Sequence, residues 1–514
     1  MKIAKITIVF LMISTATATG QGKPPHDVIS RIKEVGFQQS QVLETLSYIA
    51  DVYGPRLSGT PAYREAAEWT KKKLQAIGLE NVRFDSYEAG LRGWAIESYS
   101  IEMVQPRYMS IIALPSAWTA GTEGEITGVP VLVDYTDPDA LKKLSGQLRG
   151  KILMSPLSRP SDGERTGPFT DTELDNAAAH TNPNNPDGLD NSGLEPYAER
   201  LRRRLSGAES KQDRINRFLI EEGVAAVIRA SRKQHSVIDA RQLPYSRQGD
   251  MKPVPHFVIA KNQHGRMMRM MQKGVEPKLR LHLKTTFYTD SKYHVNILGE
   301  ISGHDKKLKD QIVLVGGHFD SYHSGTGAAD NGAGCATVIE ALRILKKIGV
   351  KPRRTIRIAL WGGEEQGHRG SLGYIKKYVG DILTQTTKDE HSKISVYFNH
   401  DNNGHNIRGI FAQGNEAIRP IFEDYLKPFH YMGAKTVTIE NAGGTDHLGF
   451  DAMNIPAFEW IQDPMHYFTH QIHTSMDVLD LVTEDSLKRN AVIIATFVYQ
   501  AAMRDEMMPR KRIN

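Results

Sequence analysis

Residues 311–334 read QIVLVGGHFDSYHSGTGAADNGAG. Gln311 to Gly317 is an apolar run of buried-strand length that ends on His318, with Asp320 two positions on. A strand ending in His-x-Asp delivers an imidazole to the carboxyl edge of a sheet, where the sites of α/β proteins form. Asp320 is placed to take the other ring N–H of His318 and fix its tautomer. A glycine-rich turn then presents Asp330, after which Val338, Ala341, Leu342 and Leu345 recur at helical spacing up to Gly349. Asp330 reads as a helix N-cap or as a metal ligand. The roles are compatible, because one carboxylate oxygen can serve a metal while the helix N-terminus steadies the charge.

Downstream the pattern repeats. Thr355 to Gly363 is a second apolar strand and ends in Glu364 and Glu365. Adjacent carboxylates in a low-dielectric cleft repel one another unless a cation joins them or one stays protonated. Ser395 to Phe398 is a third strand and leads through Asn399 and His400 to Asp401. Ile455 to Ile461 reads as a further strand, and His473 follows in QIHTSMD, 471–477. Together these residues supply the mixed nitrogen and oxygen donors that zinc favours, and the absence of cysteine from the set excludes a thiolate site. Strands alternating with helices from Gln311 onwards predict an α/β fold, a mixed sheet sandwiched between helices.

Upstream, Gly54 to Thr60 is dense in turn formers and feeds an amphipathic helix over Tyr63 to Ile77, with Thr60 as N-cap, Pro61 in the first turn and Gly78 at the C-cap. Short β-like runs at Val131 to Val133, Lys151 to Met154 and Val224 to Ile228, with a polar stretch from Ser161 to Asn191, mark an inserted β-rich domain with a long loop. The expected limits are 23–123 for the N-terminal part of the catalytic domain, 124–260 for the insertion and 261–514 for the catalytic domain proper.

The whole chain has 514 residues, 40% of them hydrophobic and 24% charged, more than one core usually supports. A net charge of +6 spread along the chain gives no case for nucleic acid. Its densest basic run, Arg200 to Arg204, is followed by Glu209, Lys211, Asp213 and Arg214, which reads as a solvated helix face. Lys2 and Lys5 precede the apolar run Ile6 to Ile13 and a small-residue site at Ala16 to Ala18, so 1–20 is expected to be a secretory signal peptide. No later stretch approaches the roughly 20 apolar residues of a membrane span, so no stable membrane insertion is expected. Cys335 is the single cysteine and there is no Asn-x-Ser/Thr site, which favours a bacterial periplasmic or extracellular location.

These motifs resemble the M28 zinc-exopeptidase family, in particular its carboxypeptidase Q-like members and the bacterial secreted aminopeptidases. The resemblance rests on GPRLSGT at 54–60, GHFD at 317–320, ADNGAG at 329–334, GEEQG at 363–367, NHD at 399–401, GTDH at 444–447 and HTSMD at 473–477. It implies two zinc ions, with His318 and Asp401 on one, Glu365 and His473 on the other, and Asp330 bridging both. It makes Glu364 the general base and Asp320 the residue that orients His318. It puts Asp446 and Tyr467 near the substrate, Tyr467 as an oxyanion donor, and makes the insertion similar to a protease-associated domain. His466 and His470 flank His473, and the choice of His473 follows the His-Thr-x-x-Asp pattern.

The function so implied is hydrolysis at the N-terminus of peptides or of dipeptides. A glutaminyl-cyclase-like acyltransferase and a non-catalytic binding protein on the same fold are the alternatives. The expected partners are peptide substrates. The sequence leaves the oligomeric state open, a homodimer included.

Overall fold

The computed structural model describes residues 26–156, 167–190, 192, 195–206, 209–243, 251–402 and 404–512. The expected signal peptide at 1–20 lies outside them. A six-stranded mixed sheet organises the molecule, in the order Glu80–Ser86, Val295–Ile301, Thr355–Trp361, Ile312–His318, Ile394–Asn399, Ala457–Phe458. The first three strands pair antiparallel and the last four parallel. All seven residues of Ile312–His318 are buried, as a strand covered on both faces requires.

Alternation along that strand sorts its side chains into two cores. Val313 and Val315 join a large cluster with the helices Ala333–Lys347, Glu484–Met503 and Pro61–Ile77. Ile312 and Leu314 face the other way, into a smaller cluster with Tyr374, Phe450, Tyr197 and Leu201. The helix at 61–77 starts as its sequence dictates: Thr60 Oγ accepts the Tyr63 N–H at 3.2 Å, and Gly78 ends it with φ 87.

The expected strand Ile455 to Ile461 is two strands instead. Ala457–Phe458 completes the main sheet, and Trp460–Gln462 pairs antiparallel with Ile407–Phe411 in a separate three-stranded sheet. The break falls at Glu459, whose buried carboxylate accepts the Trp460 N–H at 3.0 Å and the Asn399 amide at 2.5 Å.

The short runs read as strands of an insertion do form strands, Val131–Leu132, Ile152–Met154 and Ala226–Ala230, parallel neighbours in a five-stranded sheet. Helices Lys211–Glu221 and Lys261–Met271 accompany it, with Ile215, Leu219 and Met267 buried. That sheet also takes Ala113–Pro115, and the long strands Gly93–Gln105 and Lys278–Tyr288 pair with each other alongside. Residues 124 and 260 therefore fall inside this strand pairing and not at its edges.

Candidate metal centre

His318, Glu365 and Asp401 stand where a strand of the main sheet or its following turn meets the carboxyl edge, while Asp330 comes from the turn Ala328–Gly332 and His473 from the segment after Tyr467–Gln471. His318 is the last residue of its strand, and its Nδ1–H donates to the backbone carbonyl of Asp320 at 3.0 Å. That bond leaves Nε2 as the ring atom turned towards the cavity and its carboxylates, the one that would bind a cation. The Asp320 carboxylate is 3.8 Å from His318 Nδ1 and has other work. It accepts the backbone N–H groups of Glu364 and Glu365 at 3.0 and 3.3 Å, tying the acidic turn to the histidine strand. Beneath His318, the buried Cys335 thiol donates to its carbonyl at 2.9 Å.

His318 Nε2 lies 3.1 Å from Asp330 Oδ1 and 3.2 Å from Asp401 Oδ1. On the far side, His473 Nε2 lies 3.3 Å from Asp330 Oδ2 and 3.0 Å from Glu365 Oε2. Asp330 thus spends one oxygen on each imidazole. Its N-cap reading fails: helical dihedrals begin two residues later, and Asp330 itself sits at φ −114, ψ 91 in the turn Ala328–Gly332. Gly317 lets the Asp401 segment close in, since a Cβ there would meet the His400 carbonyl at 2.3 Å.

The electrostatics are those of a site that wants cations. Burial pushes the carboxyls of Glu364 and Glu365 up to about 8, although His318 and His473 respectively pull the other way. For Asp330 burial also works upward, but its contacts with His318 and His473 hold it well below the ordinary carboxylate range. For both histidines burial works downward, and the surrounding carboxylates outweigh it and raise them well above the ordinary value. Glu365 Oε1 is buried with no hydrogen-bond partner, an uncompensated acceptor beside the oxygen that faces His473. One donor atom each from His318, Asp330 and Glu365 falls within 4.8 Å of the others, close enough to share an ion. Imidazole nitrogens with carboxylate oxygens are the donors zinc takes at catalytic sites.

His473 adopts a left-handed backbone, φ 57, and its ring stacks on Tyr322 with centroids 3.7 Å apart. Its neighbour His470 packs its ring against His466 and His235. Tyr467 is buried and lines the same cavity, about 960 Å³ in volume, in the range of small-molecule sites. Asp446 does not line it: the residue is fully buried and accepts from the Ser371 hydroxyl, while Gly443, Gly444 and Thr445 form the wall.

Four residues at the site escape the reading of the sequence. Glu459 Oε1 accepts the Asp401 N–H at 3.3 Å, and a lone acid inside the apolar run 455–461 was the available signal. His368 Nε2 stands 3.1 Å from Glu364 Oε1. Arg200 and Arg204 line the cavity, which corrects the solvated-face reading of 200–204: Arg202 and Arg203 are exposed, but Arg200 and Arg204 are half-buried.

The chain is similar to known peptidases. Residues 296–498, which carry every candidate ligand, match the model of peptidase family M28. Human carboxypeptidase Q is 26% identical over 475 residues, covering 92% of this chain and 88% of the relative. The fold is similar to the M28 peptidase precursor of Shewanella amazonensis, with TM-score 0.66 and 22% identity over 95% of this chain and 99% of that one. It is also similar to a zinc aminopeptidase of Bacillus subtilis, with TM-score 0.55 and 19% identity over 90% and 95% of the two chains. This chain is a metallopeptidase whose residues 296–498 are similar to peptidase family M28.

Proposed function

We propose that the chain is an exported di-zinc exopeptidase that releases the N-terminal residue of peptides or splits dipeptides. The observation that carries this reading is the sharing of Asp330, Oδ1 at 3.1 Å from His318 and Oδ2 at 3.3 Å from His473. In this assignment His318 and Asp401 would hold one ion, Glu365 and His473 the other, and Asp330 would offer one carboxylate oxygen to each. Zinc bound there would supply an acidified water and polarise the scissile carbonyl. Glu364 takes the proton of the attacking water and passes it to the departing amine. His368, 3.1 Å from Glu364 Oε1, limits the directions in which that carboxylate turns. Asp320 keeps the Glu364–Glu365 turn in register with His318, and Tyr467 offers its hydroxyl to the developing oxyanion.

The name of the relative that spans most of the chain, carboxypeptidase Q, supports action at a peptide end. Export rests on the basic and apolar leader Lys2 to Ala18. Within the 124–260 segment, Phe169, Leu189 and the helix Tyr197–Leu205 wall the cavity.

Mass spectrometry of products from one short peptide, offered free and N-terminally acetylated, tests the reading. Shortening of the free peptide alone, stopped by a chelator and restored by zinc, is the expected result. Equal cleavage of the acetylated form would show that the free amine is not recognised and would sink it.

A further inference from the structure

The helix Tyr197–Leu205 closes one side of the cavity and is anchored from behind. Tyr197 and Leu201 are buried in the smaller core beside Tyr374. The Tyr197 hydroxyl donates to His368 Nδ1 at 2.9 Å, and the two rings stack with centroids 5.4 Å apart. With those residues fixed, helical spacing places Arg200 and Arg204, one turn apart, on the adjoining cavity-facing strip. Both line the cavity that holds His318, Glu365 and His473.

The position of Arg204 is shown by Gly367, two residues past Glu365. A Cβ on Gly367 would stand 1.8 Å from Arg204 Nη1, so the bare backbone there makes room for the guanidinium. Arg203 on the outer face pairs with Glu195 at 2.6 Å, but no carboxylate among the described residues pairs with Arg200 or Arg204. Arg200 rests over the Tyr197 ring, 5.2 Å from its centroid, which fixes its stem without neutralising its charge. Two guanidinium groups, half-buried, anchored and without an ion-pair partner, face the space a substrate must enter. Planar guanidinium forks match carboxylates in two-bond contacts.

We propose that Arg200 and Arg204 form a carboxylate-binding subsite that selects short peptides with a carboxylate close to the scissile bond. The inference rests on the exopeptidase reading above. The carboxylate is either the C-terminal group of a dipeptide or an acidic side chain on the residue after the bond.

The test compares kcat/KM of the zinc-loaded full chain on Leu-Ala, Leu-Ala amide and Leu-Glu amide, for the wild type and for Arg200→Gln, Arg204→Gln and the double variant. The wild type is expected to favour at least one carboxylate-bearing substrate over Leu-Ala amide by roughly 10-fold or more, as the loss of a charged hydrogen bond implies. Preference for Leu-Ala assigns the ligand as the terminal carboxylate, and preference for Leu-Glu amide assigns it as the side chain. In the double variant the ratio should collapse towards one. Because a ratio is read within each variant, a general loss of stability or metal does not mimic this result. A wild type indifferent to the carboxylate, or a double variant that keeps the ratio, overturns the subsite while leaving the exopeptidase reading intact. Cleavage of none of the three substrates by the zinc-loaded wild type overturns both.

Discussion

Asp477 Oδ1 accepts the backbone N–H of Ala329 at 2.6 Å, with the Asp330 N–H at 3.4 Å from the same oxygen. The turn that carries His473 therefore holds the turn that carries Asp330, linking the two ends of the ligand set. Asp477→Ala leaves a buried N–H unpaired and frees the Asp330 turn to shift. Zinc affinity should fall roughly 10–100-fold, the usual effect of losing a partner that orients ligands. Chelator competition measures it, with circular dichroism as the control for folding. Unchanged affinity would remove Asp477 from the support of the site.

Arg56 is fully buried and donates to four carbonyls: Phe319 at 2.8 Å, Gly327 at 2.9 Å, Ile49 at 3.0 Å and Thr326 at 3.1 Å. It pins the segment between His318 and Asp330 from beneath. Arg56→Met strands those acceptors, and urea unfolding should report a loss of about 3 kcal/mol or more. A loss under about 1 kcal/mol, the worth of one ordinary hydrogen bond, would mean the carbonyls find other partners.

Glu364→Ala should lower kcat by at least about 100-fold, the lower end of what a general base contributes. The zinc content should stay as in the wild type, because none of the ligand assignments uses Glu364. Single-turnover kinetics and metal analysis on the same sample check both halves. Near-normal turnover would reassign the base, and loss of metal would make Glu364 a ligand.

His256 is buried between Tyr135 and Ser116, with ring nitrogens 3.0 and 2.9 Å from their hydroxyls. Burial, helped by Arg229, pushes its imidazole down to about 3. Between pH 6.5 and 3 the unfolded chain takes up a proton there that the folded chain refuses, so stability falls as pH falls. The slope from this residue is about 1.4 kcal/mol per pH unit. Other buried histidines, His264 and His323 among them, are depressed in the same direction to about 4. His256→Gln should flatten the decline of Tm between pH 6.5 and 5 compared with wild type. Parallel curves would show that His256 does not contribute to it.

The candidate residues at the strand ends were legible because their signals are local. An apolar run that ends abruptly in His or Glu announces a strand edge within a few residues, and His318, Glu365 and Asp401 each follow one. What escaped depends on partners distant in sequence. Gly93–Gln105 pairs with Lys278–Tyr288 across the whole intervening segment, and nothing near residues 124 or 260 marks that pairing. The run 200–204 shows its charge in sequence, but which arginines turn towards the cavity depends on how Tyr197 and Leu201 dock on the core. For Asp320, spacing correctly placed it beside His318, but the backbone carbonyl takes the ring N–H and the carboxylate serves the Glu364 turn.

Metal stoichiometry tests the central claim most directly, by mass spectrometric metal analysis of the zinc-saturated wild type and of Asp330→Ala. The shared carboxylate predicts two zinc ions per wild-type chain and the loss of both from the variant. One ion per wild-type chain, or a variant that keeps two, would contradict the bridging role of Asp330 and with it the two-metal account.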